Sequence, residues 1–152
     1  MSGNQPADVR VERAGVEATL ALRRRVLRPH LAASELVRFP RDEDPDTAHL
    51  VARLADGTVI GTSSVLHEES PWGDPGWRLR GMATEAEVRG RGIGSRLLSG
   101  AIEYVRGQGG GLLWCNARVR AVPFYRRAGL QTRGEPWEEP LIGSHIVMWR
   151  VI

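Results

Sequence analysis

The sequence predicts a single α/β domain over residues 1–152, with a mixed central β-sheet flanked by helices. A strand-like segment, Trp77 to Thr84, leads through a glycine-rich turn into an amphipathic helix and then into a short apolar stretch, Leu112 to Asn116. This order is typical of two parallel strands joined by a helix. At 152 residues with 41% hydrophobic content, the chain can bury one core of ordinary size.

The front half of the chain adds further strands and one helix. Asp8 to Arg13 alternates as a first strand, and Val16 to Leu27 has the apolar spacing of a helix. Leu50 to Leu54 and Thr58 to Leu66 flank an Ala-Asp-Gly turn and predict a hairpin. A second turn-rich loop, Pro71 to Gly76, leads into the Trp77 strand, in which Gly81 marks a bulge or a splayed point.

The glycine-rich turn, Arg89 to Gly94, carries the clearest chemistry in the chain. Glycines without a Cβ let the backbone bend sharply and approach a ligand, and the first N–H groups of the following helix point outward at its positive dipole end. This arrangement predicts a phosphate site, to which Arg89 and Arg91 can add charge-assisted hydrogen bonds. The helix that follows has one apolar face, formed by Ile93, Leu97, Leu98, Ala101, Ile102 and Val105.

Composition and residue spacing exclude several other functions, both for this turn and for the histidines and the cysteine of the chain. All 21 basic residues are arginine, so the chain lacks the lysine of a P-loop and of Schiff-base chemistry. The Gly-x-Gly-x-Gly spacing differs from the Gly-x-Gly-x-x-Gly of dinucleotide-binding folds. The four histidines and Cys115 are scattered singly, which predicts no metal site, and Cys115 lies in an apolar run where a cysteine behaves as a small hydrophobe.

Two motifs after residue 77 point to one family. Arg89, Gly92 and Gly94 match Arg/Gln-x-x-Gly-x-Gly/Ala position by position, and Ala121 to Leu130 is a short helical segment with Phe-Tyr that ends in Gly-Leu. With these motifs the chain resembles the GCN5-related N-acetyltransferases, specifically their small bacterial members. The resemblance implies an acetyl-CoA-dependent N-acyltransferase with its coenzyme site at the splayed middle strands of the sheet.

The resemblance also implies roles for individual residues. The pyrophosphate of the coenzyme would bind the turn and helix start, and the pantetheine arm would pair with the preceding strand. Tyr125 would be the general acid toward the coenzyme A thiolate. Arg118 stands where many members carry a coenzyme-contacting asparagine, and Asn116, two residues earlier, is either the replacement contact or a turn residue. The coenzyme set is Met82, Ala83, Thr84, Arg89, Gly90, Arg91, Gly92, Ile93, Gly94, Ser95, Asn116 and Tyr125.

The general base is left open among several titratable residues. Glu85 follows the coenzyme strand, and His145 lies in the C-terminal segment, where a lone histidine is often structural. The remaining candidates, His67, Glu68 and Glu69, lie near the end of the strand before the coenzyme strand.

The predicted reaction is direct attack of a small-molecule primary amine on acetyl-CoA. A protein or peptide amine is the alternative acceptor, and a non-catalytic acyl-CoA-binding or nucleic-acid-binding module is the other alternative. The polar region from Pro29 to Asp46 is expected to line the substrate side with Phe39, and its acidic run, Asp42 to Asp46, either attracts a cationic amine or is a solvated loop. Trp137, Glu138 and Glu139 either face a cationic amine or are solvated.

Charge, cysteine content and the lengths of the apolar segments predict the binding partners and the cellular location of the protein. The net charge of +3 is too small to predict nucleic-acid binding, and the arginines at 23, 24, 25 and 28 are interpreted as a solvated helix face. A single cysteine, a polar start from Met1 to Asp8 and no membrane-length apolar run predict a cytoplasmic protein. A homodimer is left open.

Overall fold

A computed structural model describes residues 8–152, in which seven strands form one sheet. The first seven residues, which hold most of the polar start considered above, lie outside the described range. The strands are β1 Arg10–Ala14, β2 Ala48–Arg53, β3 Val59–His67, β4 Trp77–Thr84, β5 Leu112–Arg118, β6 Gln131–Glu139 and β7 Gly143–Val151. Their order is β1-β2-β3-β4-β5-β7-β6, and only the β4–β5 pair is parallel. The sheet is therefore mixed, which confirms the predicted α/β fold.

Three helical regions accompany this sheet. The predicted first helix is irregular, with a 3₁₀ turn at Val16–Thr19, an α-helical turn α1 at Leu20–Leu22 and a π-helical turn at Arg23–Leu27. Helix α2, Ile93–Gly107, follows the glycine turn, and α3, Val122–Arg127, follows β5. Short 3₁₀ turns precede these two helices at Ala86–Val88 and Val119–Ala121. None of the helices in residues 8–152 has the length and apolar content needed to span a bilayer.

Helix α2 covers one face of the sheet with the predicted apolar stripe. All six residues of that stripe are buried, and they join Leu50, Val65 and Leu79 in one core cluster. A Cβ built on Gly61 of β3 would lie 2.8 Å from Cδ1 of Leu97, so a glycine is needed where α2 approaches the sheet. Burial of this stripe, rather than helix propensity, supplies most of the stability of α2.

The irregular first helix covers the opposite face, and it buries a charge there. Arg23 is fully buried and donates to both carboxylate oxygens of Asp42, at 2.8 and 3.1 Å, and to the Ser64 hydroxyl at 3.0 Å. The interpretation of this arginine cluster as a solvated face is therefore wrong for Arg23. A buried guanidinium needs a partner carboxylate, and here the partner comes from the polar region that follows the helix.

A bulge in β4 opens the sheet. Ala83 pairs with Thr62 and Arg80 with Ser64, so Gly81 and Met82 together oppose one residue of β3. Gly81 has φ +68°, a left-handed conformation that suits the first position of such a bulge. Strand β5 pairs with β4 only along residues 77–79 and then diverges. The prediction of a bulge or splayed point at Gly81 is thus confirmed.

Candidate active site

A cavity of about 460 Å³ occupies the opening between β4 and β5. Beyond Leu79 the edge of β4 that faces β5 has no ladder partner within the described chain, whereas its other edge pairs with β3. An extended ligand with amide groups can hydrogen-bond to such an edge. Among the lining residues are Arg28, Phe39 and Pro40 from the front half, Arg80, Gly81 and Met82 from β4, Asn116 and Arg118 from β5, Phe124 and Tyr125 from α3, and Trp137, Glu139 and His145 from β6 and β7.

The glycine turn lies where β4 ends and α2 begins. Gly90 and Gly92 have φ values of +83° and +78°, which residues with a Cβ adopt only with strain. Gly92 is the N-cap of α2 and provides no side-chain cap, and the first turn of the helix contains no acidic residue. Among the described residues, the first N–H groups of α2 therefore have neither an intrahelical acceptor nor a side-chain cap from Gly92, as an anion-binding turn requires. The Arg89 guanidinium folds back and donates to the Thr84 carbonyl at 3.2 Å.

Tyr125 and His145 face this cavity from two different elements. Burial raises the pKa of the Tyr125 phenol, and the nearby Cys115 adds to this rise while Arg118 opposes it, so the phenol keeps its proton at neutral pH. Nδ1 of His145 lies 2.9 Å from the Gly143 carbonyl oxygen. Because a carbonyl only accepts, Nδ1 carries the proton and Nε2 of the neutral ring is the acceptor.

Comparison with known proteins agrees with this geometry. The profile of the acetyltransferase (GNAT) family matches residues 17–130. This chain belongs to the GNAT family. It is 35% identical to the uncharacterized N-acetyltransferase YitI of Bacillus subtilis, over 93% of this chain and 95% of that protein. It is 34% identical to streptothricin acetyltransferase of Streptomyces lavendulae, over 57% of this chain and 46% of that protein.

Solved GNAT structures share the whole fold. A GNAT from Kribbella flavida superposes with a TM-score of 0.73 at 22% identity, covering 97% of this chain and all of the other. An acetyltransferase of the GNAT family from Streptococcus pneumoniae gives 0.71 at 18% identity, covering 95% and 99%. The resemblance of the sequence to this family is confirmed, and the protein is an acyl-CoA-dependent N-acetyltransferase.

The structure assembles most of the coenzyme residues predicted for a GNAT enzyme. Met82, Ala83 and Thr84 form the end of β4 beside the divergence, and the Arg89–Ser95 segment continues from them into α2. Asn116 and Tyr125 line the cavity from β5 and α3. Arg118, which stands in the position of the family's usual asparagine, lines the same cavity.

Several of the base candidates lie elsewhere. Both carboxylate oxygens of Glu85 accept from Arg25, at 2.8 and 3.2 Å, and Glu85 does not line the cavity. His67 pairs with Asp46 at 2.8 Å and contacts the Trp77 ring in a tilted arrangement. Because β3 runs antiparallel to β4, the end of β3 lies beside the start of β4, at the opposite end from the glycine turn. His67 and the adjacent Glu68 and Glu69 line a separate depression there.

The acidic run from Asp42 to Asp46 is divided, because Asp42 and Asp46 have protein partners whereas Glu43 and Asp44 are exposed. Asp42 is buried, and its carboxylate accepts from Arg23, from Arg80 at 3.2 Å and from the Phe39 N–H at 2.7 Å. Burial raises the pKa of this carboxyl, but the hydrogen bonds from Arg23 and Phe39 and the charges of Arg23 and Arg80 bring it below its usual value. Asp46 pairs with His67 at 2.8 Å. The run therefore anchors the loop that carries Phe39 and Pro40 to the cavity.

One cavity residue, Arg28, was placed differently by sequence reasoning, and two others fit one of the alternatives that it left open. Arg28 was assigned to a solvated helix face, yet it lines the cavity beside Arg118. Trp137 and Glu139, two residues apart on β6, both line the cavity, while Glu138 between them is exposed. The alternation of a strand is the signal that separates the pair from Glu138. No group of three or more histidine, cysteine or carboxylate side chains in residues 8–152 could hold a metal ion.

Proposed function

We propose that this protein transfers the acetyl group of acetyl-CoA to the primary amine of a small molecule by direct attack. The observation that carries the proposal is the single cavity between β4 and β5, which brings Met82, Asn116, Tyr125 and His145 to one space. Met82 and Asn116 lie on the two diverging strands, and the two titratable groups come from α3 and β7. Donor and acceptor can therefore meet between an acid and a base.

The coenzyme half of the site fits the chemical groups of acetyl-CoA. The free edge of β4 at Met82 to Thr84 offers backbone donors and acceptors to the amides of a pantetheine arm. The uncapped start of α2 and the backbone of Gly90 and Gly92 would hold the pyrophosphate. Both interactions use the main chain, so they require the bulge and the glycine turn rather than particular side chains.

The acceptor half must first produce a neutral amine. A primary amine with a pKa of about 10.4 is protonated at neutral pH, and removing that proton costs about 4 to 5 kcal/mol at pH 7. Nε2 of His145 is the proposed acceptor of the proton, directly or through water. Trp137 stacks on the imidazole at 5.9 Å between ring centroids and fixes its orientation.

Tyr125 is the proposed general acid. Its raised pKa keeps the phenol protonated, so it can donate a hydrogen bond or a proton to the departing coenzyme thiolate. Within the described chain, no protein group accepts a hydrogen bond from its hydroxyl. A ligand sulfur is then the group that would satisfy it.

A small acceptor is favoured by one relative in particular. The Streptomyces lavendulae protein that is 34% identical over 57% of this chain is named for acetylating streptothricin, a small molecule. The cavity walls come from the front loop, β4, β5, α3 and the β6–β7 pair, so an acceptor is enclosed from several sides. A folded protein surface would reach such a site only through one extended side chain.

The test compares the two tyrosines of the chain. We expect Tyr125→Phe to lower turnover, measured by thiol release, by about 10²- to 10⁴-fold with little change in acetyl-CoA affinity. Tyr104→Phe is the matched control, because it also removes one hydroxyl, which donates to the Asp46 carbonyl at 2.8 Å away from the cavity. Equal turnover of the two variants would remove Tyr125 from the acid role.

A further inference from the structure

Two arginines of the cavity converge on one carbonyl oxygen. Arg28 donates to the Leu27 carbonyl through Nη1 at 3.0 Å, and Arg118 donates to the same oxygen through Nη2 at 3.3 Å. The two residues come from opposite sides of the opening, 90 positions apart in the chain. One shared acceptor therefore holds two guanidinium groups side by side on the cavity wall.

These two positive charges lack a carboxylate in the described chain. The other arginines of the cavity have one, since Arg78 pairs with Glu68 at 3.0 Å and Arg80 pairs with Asp42 at 3.2 Å. Neither Arg28 nor Arg118 forms an ion pair within residues 8–152. Burial and the neighbouring positive charges of Arg120, Arg28 and Arg89 all lower the pKa of Arg118.

The part of the cavity next to Arg118 has a different character, and it begins at His145, the cross-strand partner of Arg118. Glu139, Trp137 and His145 line it from β6 and β7, and Glu139 is the one carboxylate among the lining residues. A carboxylate, an aromatic face and a histidine acceptor suit an ammonium group and the removal of its proton. The cavity thus presents a cationic corner and an amine-binding wall to the same ligand.

On the basis of the proposed function, we infer that the acceptor is an amine that also carries an anionic group, a carboxylate in the simplest case, and that Arg28 and Arg118 bind this group. Two adjacent planar guanidinium groups match the paired oxygens of a carboxylate. Amino acids are the smallest molecules with both groups. The inferred acceptor class follows from the positive charges of Arg28 and Arg118, which no carboxylate of the described chain neutralises.

The coenzyme is the other source of an anion near this corner. Its pyrophosphate has a separate proposed place at the glycine turn, which leads into the N-terminus of α2. Arg28 belongs to neither the turn nor α2, because it directly follows the first helical region and lines the cavity with Phe39 and Pro40. These neighbours assign Arg28 to the acceptor side, and the shared Leu27 carbonyl brings Arg118 to the same place.

The test separates binding from turnover. Arg28→Gln and Arg118→Gln each remove one guanidinium, and Arg120→Gln removes an exposed charge that lies near Arg118 but does not line the cavity. Calorimetry measures the binding of α-, β- and ω-amino acids, and of the carboxamide of each, to protein saturated with coenzyme A. Thiol release measures turnover of the same compounds, and thermal unfolding verifies that each variant is folded.

We expect at least one amino acid to bind wild type and Arg120→Gln about tenfold or more tightly than its carboxamide. Both cavity variants should lose this preference, with acetyl-CoA affinity within about threefold of wild type. Equal binding of acids and amides, or no binding of either, would overturn the inference. Weaker acetyl-CoA binding with the preference intact would assign the pair to a coenzyme phosphate. Charge-selective binding without thiol release would instead contradict the proposed transferase reaction and leave the anion site standing.

Discussion

Replacing Asp42 with Asn tests how the front loop is held against the cavity. Its carboxylate accepts hydrogen bonds from Arg23, Arg80 and the Phe39 N–H, and the Arg23 guanidinium has none of its surface exposed. The guanidinium carbons of Arg23 and Arg80 lie 4.4 and 5.1 Å from the centroid of the Phe39 ring. The substitution removes the negative charge and leaves a buried cation unpaired.

We expect Asp42→Asn to lower the free energy of unfolding strongly, although it changes only one carboxylate oxygen to an amide nitrogen. Removing one partner of a buried ion pair costs about 3 to 5 kcal/mol, because the remaining charge stays desolvated. In a chain of this length each kcal/mol lowers the melting temperature by about 2 to 4 °C, so we expect a decrease of about 6 to 20 °C. The same change should raise KM for the amine more than KM for acetyl-CoA, since Phe39 and Pro40 line the cavity.

Urea unfolding of the two proteins across pH is the decisive assay. The folded pKa of Asp42 is below its ordinary value of 3.8, so its stabilisation is complete at pH values well above 3.8 and is lost as the pH falls through the folded pKa. The stability difference between wild type and Asp42→Asn should therefore be constant near neutral pH and shrink in acid. Adding Arg23→Met should recover part of the loss, because it removes the buried unpaired charge.

Glu12→Gln is the matched control for this experiment. Glu12 also accepts from two arginines, Arg10 at 2.8 Å and Arg53 at 3.0 Å, but this ion pair is exposed on the surface. Exposed pairs contribute little to stability, so this variant should unfold close to wild type. An equal loss for Glu12→Gln and Asp42→Asn, or a loss at Asp42 below about 1 kcal/mol, would refute the argument from burial.

Three further predictions concern the turn, the thiol and the base. Gly92→Ala should weaken acetyl-CoA binding in calorimetry, whereas Gly73→Ala, at a φ of +95° with equally open surroundings, should cost similar stability and leave that binding unchanged; equal affinities would contradict the phosphate assignment. Burial raises the pKa of Cys115 to about 12, so iodoacetamide at pH 8 should label it only after unfolding, and rapid labelling of folded protein would contradict this. His145→Gln should lower kcat by about 10²- to 10⁴-fold, and an unchanged kcat would exclude it as the base.

Local patterns in the sequence were enough to predict the strand, glycine turn and helix that are proposed to bind the coenzyme. The strand from Trp77 to Thr84 has the predicted bounds, and α2 buries all six predicted apolar residues. The divergence at Gly81 was also foreseen, because a glycine inside a strand pattern signals a bulge. Each of these features depends on residues that are close together in the chain.

Features that depend on distant partners were not predictable in this way. Arg23 reads as solvent-exposed in a run of arginines, and its burial depends on Asp42, 19 residues later. His67 seemed close to the site because its strand precedes the coenzyme strand, but the antiparallel pairing places it at the far end of the sheet. The pairing of Arg28 with Arg118 requires the whole fold, since the two residues meet across the opening.

The divergence of β4 from β5 also creates a sheet edge inside the molecule. An outer edge strand with free N–H and C=O groups invites pairing with another polypeptide, which leads to aggregation. Here the free edge at Met82 to Thr84 adjoins a cleft walled by α3, β5 and the β6–β7 pair. A polypeptide strand carries side chains on both faces, and these would hinder it from entering the cleft. An unbranched ligand arm with similar amide groups would not be hindered in this way. The fold can thus keep a reactive backbone edge permanently available without exposing it to other proteins.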